Sequence, residues 1–150
     1  MTTDIHSERP AHEHRPAERT SLLAMLEARS MAVVGASKRE GSFGERMLAE
    51  AAKSAAGPVI YPVNPRYTEI AGLACYPSLA DLPEPVDLAL LGVPDAVVEE
   101  QLTLAAAHGT RAAVIFGNAH EDPAAEHAGA TSGPRPNLRQ RLASIARAAG

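Results

Sequence analysis

The feature that most limits how this chain can fold is an alternation of short apolar runs with helix-like segments. Each run is a few residues long and rich in Val, Ile, Leu and Ala, which is typical of a strand buried on both faces. Strands separated by helices run parallel, because each helix returns the chain to the starting edge of the sheet. The pattern predicts an α/β fold, namely a Rossmann-like, doubly wound and mostly parallel sheet with helices on both faces. We place strands at residues 30–35, 58–63, 86–93 and 111–116, and longer helices at 45–54, at 94–108 and after Asn137.

The remaining segments have weaker patterns. Residues 1–19 carry few core-forming side chains and mix both charge signs, which predicts a disordered arm before a single domain at 20–150. Within that domain, residues 73–76 predict a short strand, 78–82 a one-turn helix and 117–136 a loop. Two helix faces stand out: Leu22, Leu23 and Leu26 share one face of a first short helix, while Leu138, Leu142, Ile145 and Ala146 are expected to face inward.

Composition excludes several classes of function. A formal net charge of -4 argues against a nucleic-acid-binding surface, which needs a basic patch. No apolar run approaches the ~20 residues of a membrane span, and the polar N-terminus does not resemble a signal peptide, so we expect a cytoplasmic protein. Cys75 is the single cysteine of the chain. An internal disulfide is therefore impossible, and no metal site is predicted.

The loop after the first strand has the composition of a phosphate-binding loop. It contains three glycines and two serines between Gly35 and Gly44, and it leads into a helix whose N-terminus would attract an anion. The serine hydroxyls can donate hydrogen bonds, and Lys38 and Arg39 can neutralise negative charge. The predicted binding residues in this loop are Gly35, Ala36, Ser37, Lys38, Arg39, Ser42 and Gly44.

Two further turns are expected at the same edge of the sheet, because parallel strands end there together. After the second strand, Arg66 stands near the position of the acid that would hold an NAD ribose. A cation there suits an extra phosphate on the ribose, which both NADP and CoA carry. The third turn follows the strongest strand and would contact a base or a pantetheine arm. The predicted residues of these turns are Val63, Asn64, Pro65, Arg66, Tyr67, Gly92, Val93 and Pro94.

Taken together, five segments resemble the CoA-binding domain of NDP-forming acyl-CoA synthetases, the relatives of the succinyl-CoA synthetase alpha subunit. The resemblance covers about residues 20–150, and its specificity comes from the order and spacing of the segments. They are Met31-Ala32-Val33-Val34-Gly35-Ala36-Ser37, Gly41-Ser42-Phe43-Gly44, Tyr61-Pro62-Val63-Asn64-Pro65-Arg66-Tyr67, Leu73-Ala74-Cys75-Tyr76-Pro77-Ser78-Leu79-Ala80-Asp81-Leu82-Pro83 and Val86-Asp87-Leu88-Ala89-Leu90.

The resemblance implies that CoA lies across the carboxyl edge of the sheet. Its phosphates and adenosine would meet the first two loops, and its pantetheine arm would pass the third turn. In the family, the CoA thiol attacks an acyl phosphate, a histidine of the following domain carries the phosphoryl group, and an ATP-grasp module exchanges it with the nucleotide. We find neither of those parts here and expect no complete reaction from this chain. His120 receives no catalytic role, because the family does not place its phosphohistidine there.

Three functions stay open at this point. The first is the CoA-binding module of an acyl-CoA ligase, with CoA or acyl-CoA as its ligand and an ATP-grasp synthetase domain or subunit as its partner. The second is a stand-alone regulatory CoA-binding protein. The third is an NADP-dependent oxidoreductase domain, against which the missing second glycine of the dinucleotide fingerprint counts.

Overall fold

The described part of the chain is built on a parallel sheet whose strand order matches a doubly wound fold. The computed structural model describes residues 22–117, 119 and 136–150. Its longer helices are α1 (Phe43–Ala52), α2 (Asp95–Ala107) and α3 (Leu138–Ala149), with a 3-10 turn at Leu79–Asp81. Its strands are β1 (Ser30–Val34), β2 (Val59–Val63), β3 (Glu69–Ile70), β4 (Leu73–Ala74), β5 (Leu88–Leu91) and β6 (Ala112–Ile115). Four of these strands pair in the order β2-β1-β5-β6, all parallel. The predicted fold class is confirmed.

Both faces of this sheet are covered, as the alternation along β1 shows. Ala32 and Val34 point to a core that α2 and α3 close with Val98, Leu102, Leu138 and Leu142. Val33 points to the opposite face and packs with Met47 and Leu48 of α1. Because β1 and β5 lie inside the sheet, their residues contribute to both layers and must be apolar at successive positions.

The connection after β2 differs from the expected pattern. A two-stranded antiparallel hairpin, β3 and β4, lies where a doubly wound fold would have a second crossover helix. The sequence predicts one short strand at residues 73–76, but only Leu73–Ala74 is a strand, and its partner Glu69–Ile70 was not predicted. The turn between them uses positive φ angles at Ala71 (52°) and Gly72 (77°), as a tight hairpin requires.

Pro62 lies inside β2, which is compatible with an edge position. The Pro62 carbonyl accepts a hydrogen bond from the Tyr76 backbone N–H at 2.9 Å, on the side away from β1. Since the N–H and C=O of one strand residue point to the same side, the N–H that proline lacks would also have faced outward. The ladder to β1 is therefore complete from Ser30 to Val34.

The two predicted helix faces pack in different ways. Residues 22–26 are helical, but Leu22, Leu23 and Leu26 are exposed, whereas Ala24 is buried. In α3, Leu138 and Leu142 are buried and Ile145 is partly buried against the same core, but Ala146 is exposed, so its predicted inward position was wrong. Among the described helices, none is long and apolar enough to cross a membrane.

Candidate functional site

The three predicted loops meet at the carboxyl edge of the sheet. β1 is flanked by β2 on one side and by β5 on the other, so the chain changes direction at β1, where open α/β sheets bind ligands. The loops are joined by backbone hydrogen bonds of 2.9 Å, from Gly35 N–H to the Val63 carbonyl and from Gly92 N–H to the Val34 carbonyl. The structure therefore brings together the residues that the sequence assigned to one site.

Two glycines allow this close approach. A Cβ on Gly35 would lie 2.4 Å from the Gly92 carbonyl oxygen, and a Cβ on Gly44 would lie 2.0 Å from the Gly35 carbonyl oxygen. A Cβ on Gly92 would instead meet the Met47 terminal methyl group at 2.6 Å, which is the flexible end of a side chain. The starts of the first and third loops and the N-terminus of α1 are thus packed backbone against backbone.

The two serines of the first loop have different local roles. Ser42 is the N-cap of α1, and its hydroxyl accepts a 3.2 Å hydrogen bond from the Glu45 backbone N–H. The Ser37 hydroxyl accepts a 3.0 Å hydrogen bond from the Arg39 backbone N–H, which bends the loop on itself. Each hydroxyl keeps its own hydrogen available for donation to a phosphate oxygen.

Asn64 fastens the first loop to the second. Its side-chain Nδ2 donates to the Ala36 carbonyl at 2.8 Å, and its Oδ1 accepts from the Arg66 backbone N–H at 2.9 Å. One amide therefore fixes the start of the first loop and the turn that carries Arg66. The sequence predicts Asn64 as a CoA-binding residue, and in the structure its side-chain amide joins the two loops by hydrogen bonds.

The cations of the site are available to an anion. The Lys38 ammonium lies 5.9 Å from the centre of the Tyr67 ring, a cation–π distance, while Arg39 and Arg66 are exposed. In the described part of the chain, none of these three cations forms a salt bridge with a carboxylate. Each of the three follows the end of β1 or β2 in the chain and is exposed.

Cys75 lies beneath the second loop and is buried, with its Sγ 3.6 Å from the Asn64 carbonyl oxygen. Burial raises the pKa of the Cys75 thiol, although the hydrogen bond to Asn64 and the nearby charge of Lys38 partly oppose that shift. In this environment Cys75 packs as a small buried hydrophobic residue.

An apolar cavity of about 740 Å³ lies beside the first loop. It runs along edge strand β2, between α1 and the hairpin, and is present because a short hairpin covers less of the sheet than a helix would. Sequence patterns did not predict this cavity, since they did not predict the hairpin itself. Its lining includes Ser37, Lys38, Leu48, Ile60, Ile70 and Leu73.

Sequence reasoning also missed an aromatic pair at this edge. Phe43 and Phe116 have ring centroids 5.4 Å apart at an interplanar angle of 63°, and both are partly exposed. The available signal was their position, because each adjoins a loop at the carboxyl end of a strand.

His120 lies outside the described residues, and so do the predicted arm at 1–19 and most of the predicted loop at 117–136. Among the residues that are described, no three His, Cys, Asp or Glu side chains gather as metal ligands would.

Known proteins share both the sequence and the fold. Over 88 residues, or 59% of this chain, it is 41% identical to the ADP-forming acetate–CoA ligase of Methanocaldococcus jannaschii, but it spans only 12% of that protein. The apo dinucleotide-forming acetyl-coenzyme A synthetase 1 of Ca. Korarchaeum cryptofilum superposes with a TM-score of 0.69 at 28% identity, over 85% of this chain and 26% of that one. A conserved hypothetical protein from Pyrococcus furiosus matches with a TM-score of 0.60 at 29% identity, over 78% of this chain and 87% of that one.

Sheet order and the glycine-packed junction of the loops define a Rossmann-like α/β domain. More specifically, the chain belongs to the CoA binding domain family, whose sequence model matches residues 29–149. It is a CoA-binding domain related to the ADP-forming acetyl-CoA synthetases, as its resemblance to the acyl-CoA synthetases predicted.

Proposed function

We propose that CoA lies along the carboxyl edge of the sheet, and that this domain holds CoA for an NDP-forming acyl-CoA ligase. The observation that carries the proposal is the junction of three loops around Gly35, Gly44 and Gly92, with a cluster of exposed cations on one side. The pyrophosphate would receive hydrogen bonds from the Ser37–Ser42 loop and the N-terminus of α1. The 3′-phosphate would lie near Arg66, and the pantetheine arm would pass the turn at 92–94.

The proposed role of these residues is binding and orientation. In the ligase reaction the CoA sulfur forms a bond to the acyl carbon of an acyl phosphate, the C–O bond to phosphate breaks, and the thiol proton is released. The acyl phosphate would be made by a partner, an ATP-grasp domain or subunit, with consumption of a nucleoside triphosphate. No residue of this chain is assigned a catalytic role, and the domain contributes by holding the thiol in place.

A second candidate is a stand-alone CoA-binding protein. The Pyrococcus furiosus relative favours it, since this chain covers 87% of that protein, so a protein of about this size exists with the same fold. The two candidates share the CoA site and differ in what accompanies it. In the ligase case, an antibody raised against this domain should detect a much longer polypeptide or co-precipitate an ATP-grasp subunit with the domain. Detection of the domain alone would favour the stand-alone protein.

The test of the site is a set of alanine variants titrated with CoA in a calorimeter. Arg66→Ala should weaken CoA binding about tenfold, since a charge-assisted hydrogen bond to phosphate contributes about 1.5 kcal/mol. Ser37→Ala should also weaken it about tenfold, because a hydroxyl hydrogen bond to a charged phosphate oxygen contributes about 1.5 kcal/mol. Arg147→Ala is the matched control, because Arg147 is an exposed arginine in the last turn of α3. Equal affinities in all three variants would refute the site.

A further inference from the structure

The cavity along β2, between α1 and the β3–β4 hairpin, has its polar side chains at one end. Its volume of about 740 Å³ lies in the range of small-molecule sites, roughly 300–1,000 Å³. Of the described residues that line it, three have polar side chains, namely Ser37 and Lys38 of the first loop and Glu45 of the first turn of α1. All three lie near the N-terminus of α1, at the carboxyl edge of the sheet.

Apolar side chains line the remainder of this cavity. It follows α1 from Glu45 to Ala52, a length of about 10 Å at 1.5 Å per helical residue. The facing walls belong to β2 and the hairpin and include Ile60, Ile70 and Leu73. A ligand of matching shape has a polar group at one end and an apolar tail of a few carbon atoms, which would cover surface that water otherwise contacts.

The two charges at the polar end have opposite signs, and this limits the chemistry of the ligand. In the part of the chain that the structure describes, neither Lys38 nor Glu45 forms a salt bridge. A ligand with only a carboxylate would be repelled by Glu45, and one with only an amine would be repelled by Lys38. An uncharged ligand would take both charges out of water without giving either a partner. A ligand with both a carboxylate and an ammonium group satisfies the two together.

The surroundings of the two charges decide which group goes where. The Ser37 hydroxyl accepts from the Arg39 backbone N–H at 3.0 Å, so its own hydrogen is available to a carboxylate oxygen beside the Lys38 ammonium. The positive end of the α1 dipole also favours an anion there. Glu45 supplies carboxylate oxygens that accept from an ammonium group.

We propose that the cavity along β2 binds an apolar α-amino acid. Its carboxylate would contact Ser37 and Lys38, its ammonium group would contact Glu45, and its side chain would lie between α1 and the hairpin. The inference goes beyond the proposed CoA-binding function and does not depend on it. Because Ser37 and Lys38 also belong to the proposed CoA site, an amino acid bound here would compete with CoA for these two side chains.

Calorimetry on the purified chain, without CoA, tests this site. L-leucine, L-isoleucine, L-methionine and L-phenylalanine cover the range of apolar tails, and at least one of them should bind saturably. The amino acid that binds most tightly is then compared with the same molecule lacking its amino group, such as 4-methylpentanoate for L-leucine. The deaminated acid should bind about tenfold more weakly, because it has no ammonium group to pair with Glu45. Absence of binding by all four amino acids, or equal affinity for the two forms, would overturn the proposal.

Substitution of Glu45 tests the charge pairing. Glu45→Gln should weaken binding of the amino acid about tenfold and abolish its preference over the deaminated acid. Glu40→Gln is the matched control, because Glu40 is exposed in the first loop and does not line the cavity. A preference that survives in Glu45→Gln, or an equal loss in Glu40→Gln, would contradict the assignment.

Substitution of Ala49 tests the location. Ala49 lines the cavity at an exposed position of α1, so Ala49→Phe should occupy the cavity and prevent amino acid binding while the core stays intact. Ala148→Phe, at an exposed position of α3, is the matched control and should leave binding unchanged. An unchanged affinity in Ala49→Phe would show that the amino acid binds elsewhere and would refute the site.

Discussion

Alanine at Gly35 should destabilise the domain far more than alanine at Gly41, although both glycines lie in the first loop at positive φ. Gly35 has a φ of 88° and a Cβ there would lie 2.4 Å from the Gly92 carbonyl oxygen, whereas Gly41 has a φ of 72° and no atom within 4 Å. A left-handed backbone costs an alanine about 1 kcal/mol or somewhat more. Displacing a packed backbone carbonyl adds about 2 kcal/mol. We therefore expect losses of about 3 kcal/mol for Gly35→Ala and about 1 kcal/mol for Gly41→Ala.

Urea unfolding followed by far-UV circular dichroism measures this difference directly. In thermal melts, a domain of this size should lose about 3 °C per kcal/mol, so Gly35→Ala should melt roughly 9 °C lower and Gly41→Ala roughly 3 °C lower. Equal losses in the two variants would show that only the φ angle matters. The packing of the first loop against the third would then not be a source of stability.

Three further predictions concern single side chains. Asn64→Ala should lower the free energy of unfolding by about 1–2 kcal/mol and weaken CoA binding, because the hydrogen bonds that join the two loops are lost. A loss of stability with full CoA affinity would contradict that role. Hydrogen bonds from the Arg29 backbone N–H and then from Arg111 lower the pKa of Asp87. Its contribution to stability should thus be present above about pH 4, the unfolded value, and disappear as the pH falls through the lower folded pKa. In urea, Asp87→Asn should have a lower free energy of unfolding than the unsubstituted chain at pH 7, and the difference should become smaller in acid. A difference that does not change with pH would refute this expectation. Because burial raises the pKa of the Cys75 thiol, a disulfide reagent at pH 8 should react with it much more slowly than after unfolding in urea, and equal rates would contradict its burial.

The sheet could be predicted from sequence because each central strand has to be apolar on both sides. The run at 86–93 predicted β5, which is shorter at Leu88–Leu91, the residues that lie in register with both β1 and β6. The β3–β4 hairpin could not be predicted in the same way. Its two-residue strands are too short to show a period, and its turn begins with Ala71 at positive φ, where glycine or asparagine would be the usual signal.

The candidate site was predictable in part for a similar reason. Loops that follow parallel strands meet at one edge, so Ser37, Asn64 and Gly92 could be grouped from the order of the predicted strands alone. What each side chain does there depends on atoms distant in sequence, as with the Asn64 amide and the Ala36 carbonyl. The exposed leucines at 22–26 show another limit, because periodicity identifies a shared face without telling whether smaller alanines pack against the core instead.

Calorimetry on the purified chain shows whether the cationic end of the proposed CoA site recognises the 3′-phosphate. CoA, dephospho-CoA and NADPH would be titrated in turn under the same salt conditions. We expect saturable binding of CoA and weaker binding of dephospho-CoA, with little binding of NADPH. Equal affinity for CoA and dephospho-CoA would contradict the role of Arg66 and Lys38, and binding of NADPH in preference to CoA would contradict the proposed function itself.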